Sequence, residues 1–477
     1  MQTSGFALVS KPAKTTLDPP EDDLNCADES GAEAVLRLPA ALGLALALAA
    51  LPVAARAAES ISAPPSIPSP LALEQALEIF RAHGFDLLLA DAAVSSAEGD
   101  LAIASAFQNP AVGASSGHTF TYDTNHCADH GCSDTPWTAS LSDQGLVTDL
   151  MIGKRRLRRD AAEAALRAAR LQRADAARTL DALLEQQWVQ TVVAGALLRT
   201  AQQAAAASAQ TSQLVDLRWH AGDLSEADAA RAETAKLEAD QSVDETRRQL
   251  EEAKSQLAFL LGERSGHPEF EVAPELPSCV APATLADATP QDLLARARQR
   301  RADVAAARAQ LEAAEHSLAL AKRSRIPDIS LNAGYQQEGH GDSAIQPPTA
   351  TLGVSLPLPL FYRGQGEIEK AEAGVRAQRI AADKLDAQLS SEVSQAYAAW
   401  QSARSRVERM QGRMLERSQR ALDLVDYQYK RGAASLLELL DAQRTWVSTQ
   451  AAYQQNVGDC WIALYQLEAA SGEGSTS

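Results

Sequence analysis

Trp219-His220-Ala221-Gly222-Asp223-Leu224-Ser225 and Tyr429-Lys430-Arg431-Gly432-Ala433-Ala434-Ser435 are the two stretches that decide the fold. Each sets an aromatic residue three positions before a Gly and a Ser three positions after it. They lie 210 residues apart (432 − 222). The same register pairs Asp228 with Glu438, Leu257 with Leu467 and Gly262 with Gly472. A constant spacing across aromatic, polar and Gly positions signals an internal duplication. The Pro-rich stretch with Pro274, Pro277, Pro282 and Pro290 separates the two halves, giving repeat one over 71–273, a linker over 274–290 and repeat two over 291–471.

Upstream of each quoted stretch, helix-forming sequence runs from about Lys154 to Leu217 and from about Glu367 to Lys430. At ~1.5 Å per residue each helix spans roughly 90–100 Å, the length of a stalk or tube wall rather than of a globule. Leu180, Leu183, Leu184, Trp188 and Val192 recur on one face, as do Leu250, Leu257 and Leu261. Shorter helices are expected over about Leu71 to Phe107 and Gln291 to Ser324, each followed by two strands, within 108–147 and 326–358. Trp137, Ala139 and Leu141 alternate with Thr138, Ser140 and Ser142; Ile329, Leu331, Ala333 and Tyr335 alternate with polar or small residues; so do Ala350, Leu352, Val354 and Leu356. The run from Pro110 to Tyr122 alternates less cleanly. Such alternation suits strands with one face to lipid and one to water. Four strands cannot close a barrel, for which about eight are needed, and open edges cannot sit in lipid. Three chains supplying four strands each would close it, so the membrane reading demands a homotrimer. Two soluble hairpins over a helical bundle are the bland alternative.

Arg37, the apolar run Leu38–Val53 and Ala55-Arg56-Ala57 read as a signal peptide over 1–57, followed by a Pro/Ser-rich segment over 58–70. The long polar stretch before Arg37 points to a translation start further in. The run is shorter than the ~20 residues that a spanning helix needs, and no other stretch qualifies, so membrane residence would be through strands. A formal net charge of −18 repels nucleic acid. Cys26 leaves with the signal. His126, Cys127, His130 and Cys132 fall in one loop between strand candidates. In an oxidising compartment a Cys127–Cys132 disulfide is the preferred reading, and a metal site the alternative. Cys460 lies in an apolar helical pattern and is expected as a small core residue. No nucleophile stands with a base and no Gly loop cradles phosphate, so neither an enzyme nor a cofactor is expected. Residues 472–477 read as a flexible tail.

Six pieces then carry a resemblance. They are Gln108-Asn109-Pro110, Gly153-Lys154-Arg155, Arg301-Ala302-Asp303-Val304, Arg325-Ile326-Pro327-Asp328, Pro357-Leu358-Pro359-Leu360-Phe361 with Gly366-Glu367-Ile368, and Tyr429-Lys430-Arg431-Gly432 with Leu437-Glu438-Leu439-Leu440-Asp441-Ala442. In order over about residues 71 to 472, the chain resembles the TolC-like outer-membrane efflux proteins, and most of all their CzcC-like, heavy-metal branch. The resemblance implies a mainly α protein with a small β part: a homotrimeric outer-membrane β-barrel continued by a long periplasmic α-helical barrel. It implies an exit duct in the Gram-negative outer membrane, surrounded by lipid, docked to a periplasmic adaptor and an inner-membrane RND-type pump, and exporting heavy-metal cations. It also implies an iris at the periplasmic tip. The tip turns fall at Gly222 and Gly432 with Trp219 and Arg431; the acidic constriction falls on Glu438 and Asp441; Asp228 and Tyr429 match closed-state residues. Where a basic residue often follows the tip Gly by two positions, this chain has Ala434, and Arg431 is the substitute. A duct for drugs or secreted proteins, and a periplasmic coiled-coil adaptor, are the competing readings.

Overall fold

The computed structural model describes residues 65–117, 136–143, 145–264, 266, 269–286, 288–338 and 346–473, all within one compact unit, Ala63–Ser477. Residues 1–57, expected as a signal peptide, and His126, Cys127, His130 and Cys132 lie outside the described residues.

The order is α1 (Leu73–His83), α2 (Phe85–Ser105), β1 (Ala111–Ser116), β2 (Pro136–Ser142), α3 (Leu146–Ile152), α4 (Lys154–His220) and α5 (Glu226–Leu260). After one turn at Ala283–Ala286 come α6 (Pro290–Arg300), α7 (Ala302–Arg323), β3 (Ser330–Glu338), β4 (Gln346–Ser355) and α8 (Gln365–Arg409). A π-helical turn at Met410–Met414 joins α8 to α9 (Leu415–Lys430), and α10 (Leu436–Ser471) closes the chain. The protein is mainly helical with one small antiparallel sheet. Helix α4, 67 residues, is about 100 Å long. It packs against α2, α5, α7 and α10.

Each half opens with two helices where the apolar pattern predicts one. The break at Gly84 is extended (φ −62, ψ 123) and turns the chain so that Phe80 and Leu87, on either side, both enter the core. At Arg301 (φ −66, ψ 128) the break lets the guanidinium turn inward. Its Nη2 donates to Asp303 at 2.6 Å and its Nη1 to Glu392 at 2.8 Å. The second strand, expected to reach residue 147, ends at Ser142, and Leu146–Ile152 before Gly153 form α3. The Asp143 carboxylate accepts from the backbone N–H groups of Gly145, Leu146 and Val147, which satisfies donors that a helix start leaves open.

Two buried clusters fill the upper body. The first joins Phe80, Leu87, Leu184, Trp188, Val192, Leu257 and Leu261; the second joins Leu293, Leu389, Val393, Trp400, Leu464 and Leu467. Each such side chain contributes about 1.5–3 kcal/mol by leaving water. Leu183, placed on the buried stripe by its spacing, is instead 44% exposed, because the contact face of α4 is narrower than the pattern. Cys460 is buried as expected but is not a lone core thiol: it is disulfide-bonded to Cys279, 181 residues away, tying the inter-half linker to α10. Trp461 fixes the same segment by donating from Nε1 to the Pro277 carbonyl at 3.0 Å.

The sheet runs in the order β1-β2-β3-β4, every pair antiparallel. Its register sets Val112 against Leu141, Ala139 against Tyr335, Leu141 against Ala333, Leu331 against Val354 and Ala333 against Leu352. One face is thus apolar. The other carries Ser115, Thr138, Ser140, Asn332 and Thr351, with Ser115 and Thr138 hydroxyls 2.7 Å apart. The apolar face is bare: Leu352 is 92% and Val354 71% exposed. β1 and β4 are the edges, each paired on one side. Within the described residues no helix is long and apolar enough to cross a membrane.

Candidate gate at the helical tip

Helices α4 and α5 meet across Gly222, and α9 and α10 across Gly432, with φ of 84° and 74°. Glycine reaches this left-handed region without the clash a Cβ brings. The turns close alike: Gly222 N–H donates to Trp219 O and Asp223 N–H to Arg218 O, while Gly432 N–H donates to Tyr429 O and Ala433 N–H to Gln428 O. Each following helix then starts on a Ser, at Ser225 and Ser435.

The two caps differ by one methylene. Glu438 reaches back to accept from both the Ser435 N–H (2.7 Å) and its hydroxyl (2.9 Å), while Ser435 Oγ accepts from the Glu438 N–H (3.3 Å). Two open donors of the helix start are thereby met by one reciprocal box. Asp228, shorter, accepts from the Ser225 hydroxyl at 2.7 Å and from Arg231 at 3.3 Å. The hydrogen bonds from the Ser435 amide and hydroxyl hold the exposed Glu438 carboxyl below the usual carboxylate range. Asp441, one turn further along α10, is exposed and makes no hydrogen bond or ion pair to the described residues.

Tyr429 is the buried member of the tip, 3% exposed, in a cluster with Val215, Ala232, Leu436, Leu439 and Leu440. The Arg218 guanidinium lies over its ring, 5.1 Å from the centroid, and donates to the Lys430 carbonyl at 3.4 Å. The phenol is pushed up by burial, against the pull of Arg218 and with a further push from Asp228. It is therefore a neutral hydroxyl, shut from solvent, with the Arg218 guanidinium as its polar neighbour but outside strict hydrogen-bonding geometry. Trp219 is half-exposed with its ring edge-on to His220, centroids 4.7 Å apart. Arg431 is exposed and sits over Tyr427 of its own hairpin, 5.2 Å from the ring centroid.

The structure thus brings Tyr429, Arg218 and Asp228 together and leaves Glu438 and Asp441 outward on α10. Arg218 was missed by the sequence reading. It stands directly before Trp219, just outside the deciding stretch, and the register pairs it with Gln428, so the repeat hides it. No group of three or more His, Cys, Asp or Glu able to hold a metal exists among the described residues, so within one chain Glu438 and Asp441 can attract a cation but not chelate one.

Residues 293–473 match the family model described as outer membrane efflux protein. The chain is 25% identical over 414 residues to the cobalt-zinc-cadmium resistance protein CzcC of Cupriavidus metallidurans, covering 84% of this chain and 90% of that one. It is 27% identical over 417 residues to the pyoverdine export outer membrane protein OpmQ of Pseudomonas putida, covering 83% and 84%. The solved structure of the outer-membrane channel OprN superposes with a TM-score of 0.70 at 22% identity, over 84% of this chain and 90% of that one. The long paired helices, the four-stranded sheet and these likenesses agree: the chain has the fold of the outer-membrane efflux channels, carries their family model over residues 293–473, and is similar to them over most of its length.

Proposed function

We propose that this chain is one third of a sealed exit duct, and that the assembled trimer passes heavy-metal cations outward. Its likeness to outer membrane efflux proteins supports a place in the Gram-negative outer membrane as the outer component of a tripartite efflux system. The observation that carries the finer reading is the sheet. Four strands with one bare apolar face and two half-paired edges, β1 and β4, cannot rest in lipid alone. Joining edge to edge with two more copies gives twelve strands, removes every edge and turns the apolar face to lipid. The long helices α4 and α8–α9 then continue the cylinder into the periplasm. The two halves, matched in tip turns and Ser caps, are the products of a duplication.

Gating follows from the tip. Copies of Glu438 and Asp441 around a three-fold axis form rings of carboxylates, which favour cations over anions. Glu438, held ionised by its cap, keeps its charge below neutral pH. Tyr429, Arg218 and Asp228 hold the two hairpins of each chain together in the closed state. Energy comes from an inner-membrane RND-type pump through a periplasmic adaptor, and the duct itself makes and breaks no bond.

The relative CzcC is named for resistance to cobalt, zinc and cadmium, and the outward acidic pair suits that cargo. OpmQ is named for pyoverdine export, so an organic cargo is the second reading. Deleting the gene and measuring growth with zinc, cobalt, cadmium and nickel, against a dye and an antibiotic, separates them. Lost metal tolerance with unchanged dye tolerance is expected. Lost dye tolerance with unchanged metal tolerance replaces the metal reading by the organic one.

A further inference from the structure

Above the Tyr429 cluster the four helices α4, α5, α9 and α10 do not close on one another. They leave a cleft of about 610 Å³, within the range of pockets that take drug-sized molecules. Leu214, Leu422, Leu440 and Val447 give it apolar walls. Two polar atoms of its lining residues are buried behind that surface without a partner in hydrogen-bonding geometry among the described residues: the Tyr429 hydroxyl, on a residue 3% exposed, and Gln443 Oε1. Gln443 is held in place by its Nε2 donating to Thr211 Oγ1 at 3.1 Å. Trp446 is pinned by its Nε1 donating to Gln419 at 2.6 Å, with its ring in the lining.

The charges choose the sign of the occupant. Asp426 is paired with Lys430 at 2.7 Å and Glu238 with Arg444 at 3.0 Å. Asp423, also in the lining, has only the neutral Gln419 Nε2 donating to it at 2.9 Å among the described residues. One carboxylate therefore stays without a cationic partner among the described residues, in a cleft that Trp446 also lines. We propose that this cleft is a binding site for an organic cation with an apolar body, its body lying against the Leu214, Leu422, Leu440 and Val447 walls and its charge meeting Asp423. Because the cleft is walled by both hairpins and shares Tyr429 with the tip cluster, an occupant ties the hairpins together and resists opening. The site is made by one chain, so it stands or falls apart from the duct reading: binding can fail while export survives.

The test is equilibrium binding of rhodamine 6G, a cationic xanthene, to the full chain in phosphatidylcholine nanodiscs, against empty nanodiscs and against fluorescein, its anionic counterpart. Saturable binding at one dye per chain is expected, with fluorescein weaker by about ten-fold or more. Ala207→Phe on α4 and Ala239→Phe on α5 each put a ring into the cleft and each should abolish the saturable component. Asp423→Asn, at the exposed rim, leaves packing untouched and should weaken the cation by about five-fold, as losing one charge pair implies. Occupancy should also slow amide exchange at Tyr429–Leu440. Rhodamine binding no greater than to empty nanodiscs, fluorescein binding equally well, or an affinity unmoved by Asp423→Asn overturns the proposal.

Discussion

Gly262 and Gly222 share the same left-handed φ of 84°, yet replacing each by Ala should have very different consequences. At Gly222 an added Cβ meets nothing within 4 Å. Gly222→Ala therefore costs only the backbone term, about 1–2 kcal/mol for a non-Gly residue in this region. At Gly262 the Cβ would lie 2.5 Å from the His83 carbonyl oxygen and 3.1 Å from its carbon. Those atoms are backbone, at the break between α1 and α2, and cannot rotate away. Forcing them apart adds about 1–3 kcal/mol, the usual cost of overpacking. Gly472, the register partner of Gly262, is intermediate: φ is 75° and the nearest neighbours, Arg301 Cγ at 3.1 Å and Arg301 N at 3.3 Å, mix side chain and backbone. Hydrogen–deuterium exchange on the detergent-extracted protein reads each site locally. Gly222→Ala should speed exchange about 5–30-fold, confined to the tip turn. Gly262→Ala should speed it about 30-fold or more, in two segments remote in sequence, 258–264 and 80–88. Gly472→Ala falls between. Equal effects at Gly222 and Gly262, or no response around His83, would refute the close-approach reasoning.

Changing Glu438 and Asp441 together to Ala should lower the cation preference of single channels in planar bilayers; unchanged selectivity and conductance would retire the carboxylate rings. Ser435→Ala removes one arm of the reciprocal cap and should destabilise the start of α10 by about 1 kcal/mol, seen as roughly five-fold faster exchange over 436–440. The pH response should centre on Glu468, whose carboxyl is raised to about 7 by burial and then by Glu473. A raised folded pKa means the stability it brings is full below the unfolded value near 4.5 and is lost as pH rises through 7. The end of α10 should therefore loosen between pH 5 and pH 8, and Glu468→Gln should flatten that profile; a profile unchanged by the substitution removes Glu468 as its source.

Much of this architecture is legible in the sequence, and the parts that are not share a cause. The alternation at Trp137–Leu141, Leu331–Tyr335 and Ala350–Val354 reports its two faces directly, because a strand repeats every two residues. The tip turns are legible because Gly222 and Gly432 serve a backbone need that few residues meet, and Ser225 and Ser435 a capping need. The breaks at Gly84 and Arg301 leave little trace: apolar residues continue at helical spacing on either side, and no Pro marks the interruption. Leu183 lies one step from Leu184, and only the partners actually packed against α4 decide which of the two is covered. Cys279 and Cys460 sit in unrelated local patterns 181 residues apart, so their pairing is a property of the tertiary fold alone. At the helical tip, Gly222, Gly432, Tyr429 and Glu438 announce themselves by register. Arg218, and the unmet atoms of Tyr429 and Gln443, emerge only when four helices converge.

Native mass spectrometry of the detergent-extracted protein, with cysteine labelling from lipid at Val112, Leu352 and Val354, bears most directly on the sheet that cannot close by itself. The account predicts three copies per particle, with all three positions open to a lipid-phase reagent in the assembled membrane. A stable single copy, or strands reached only by water-soluble reagents, would contradict it.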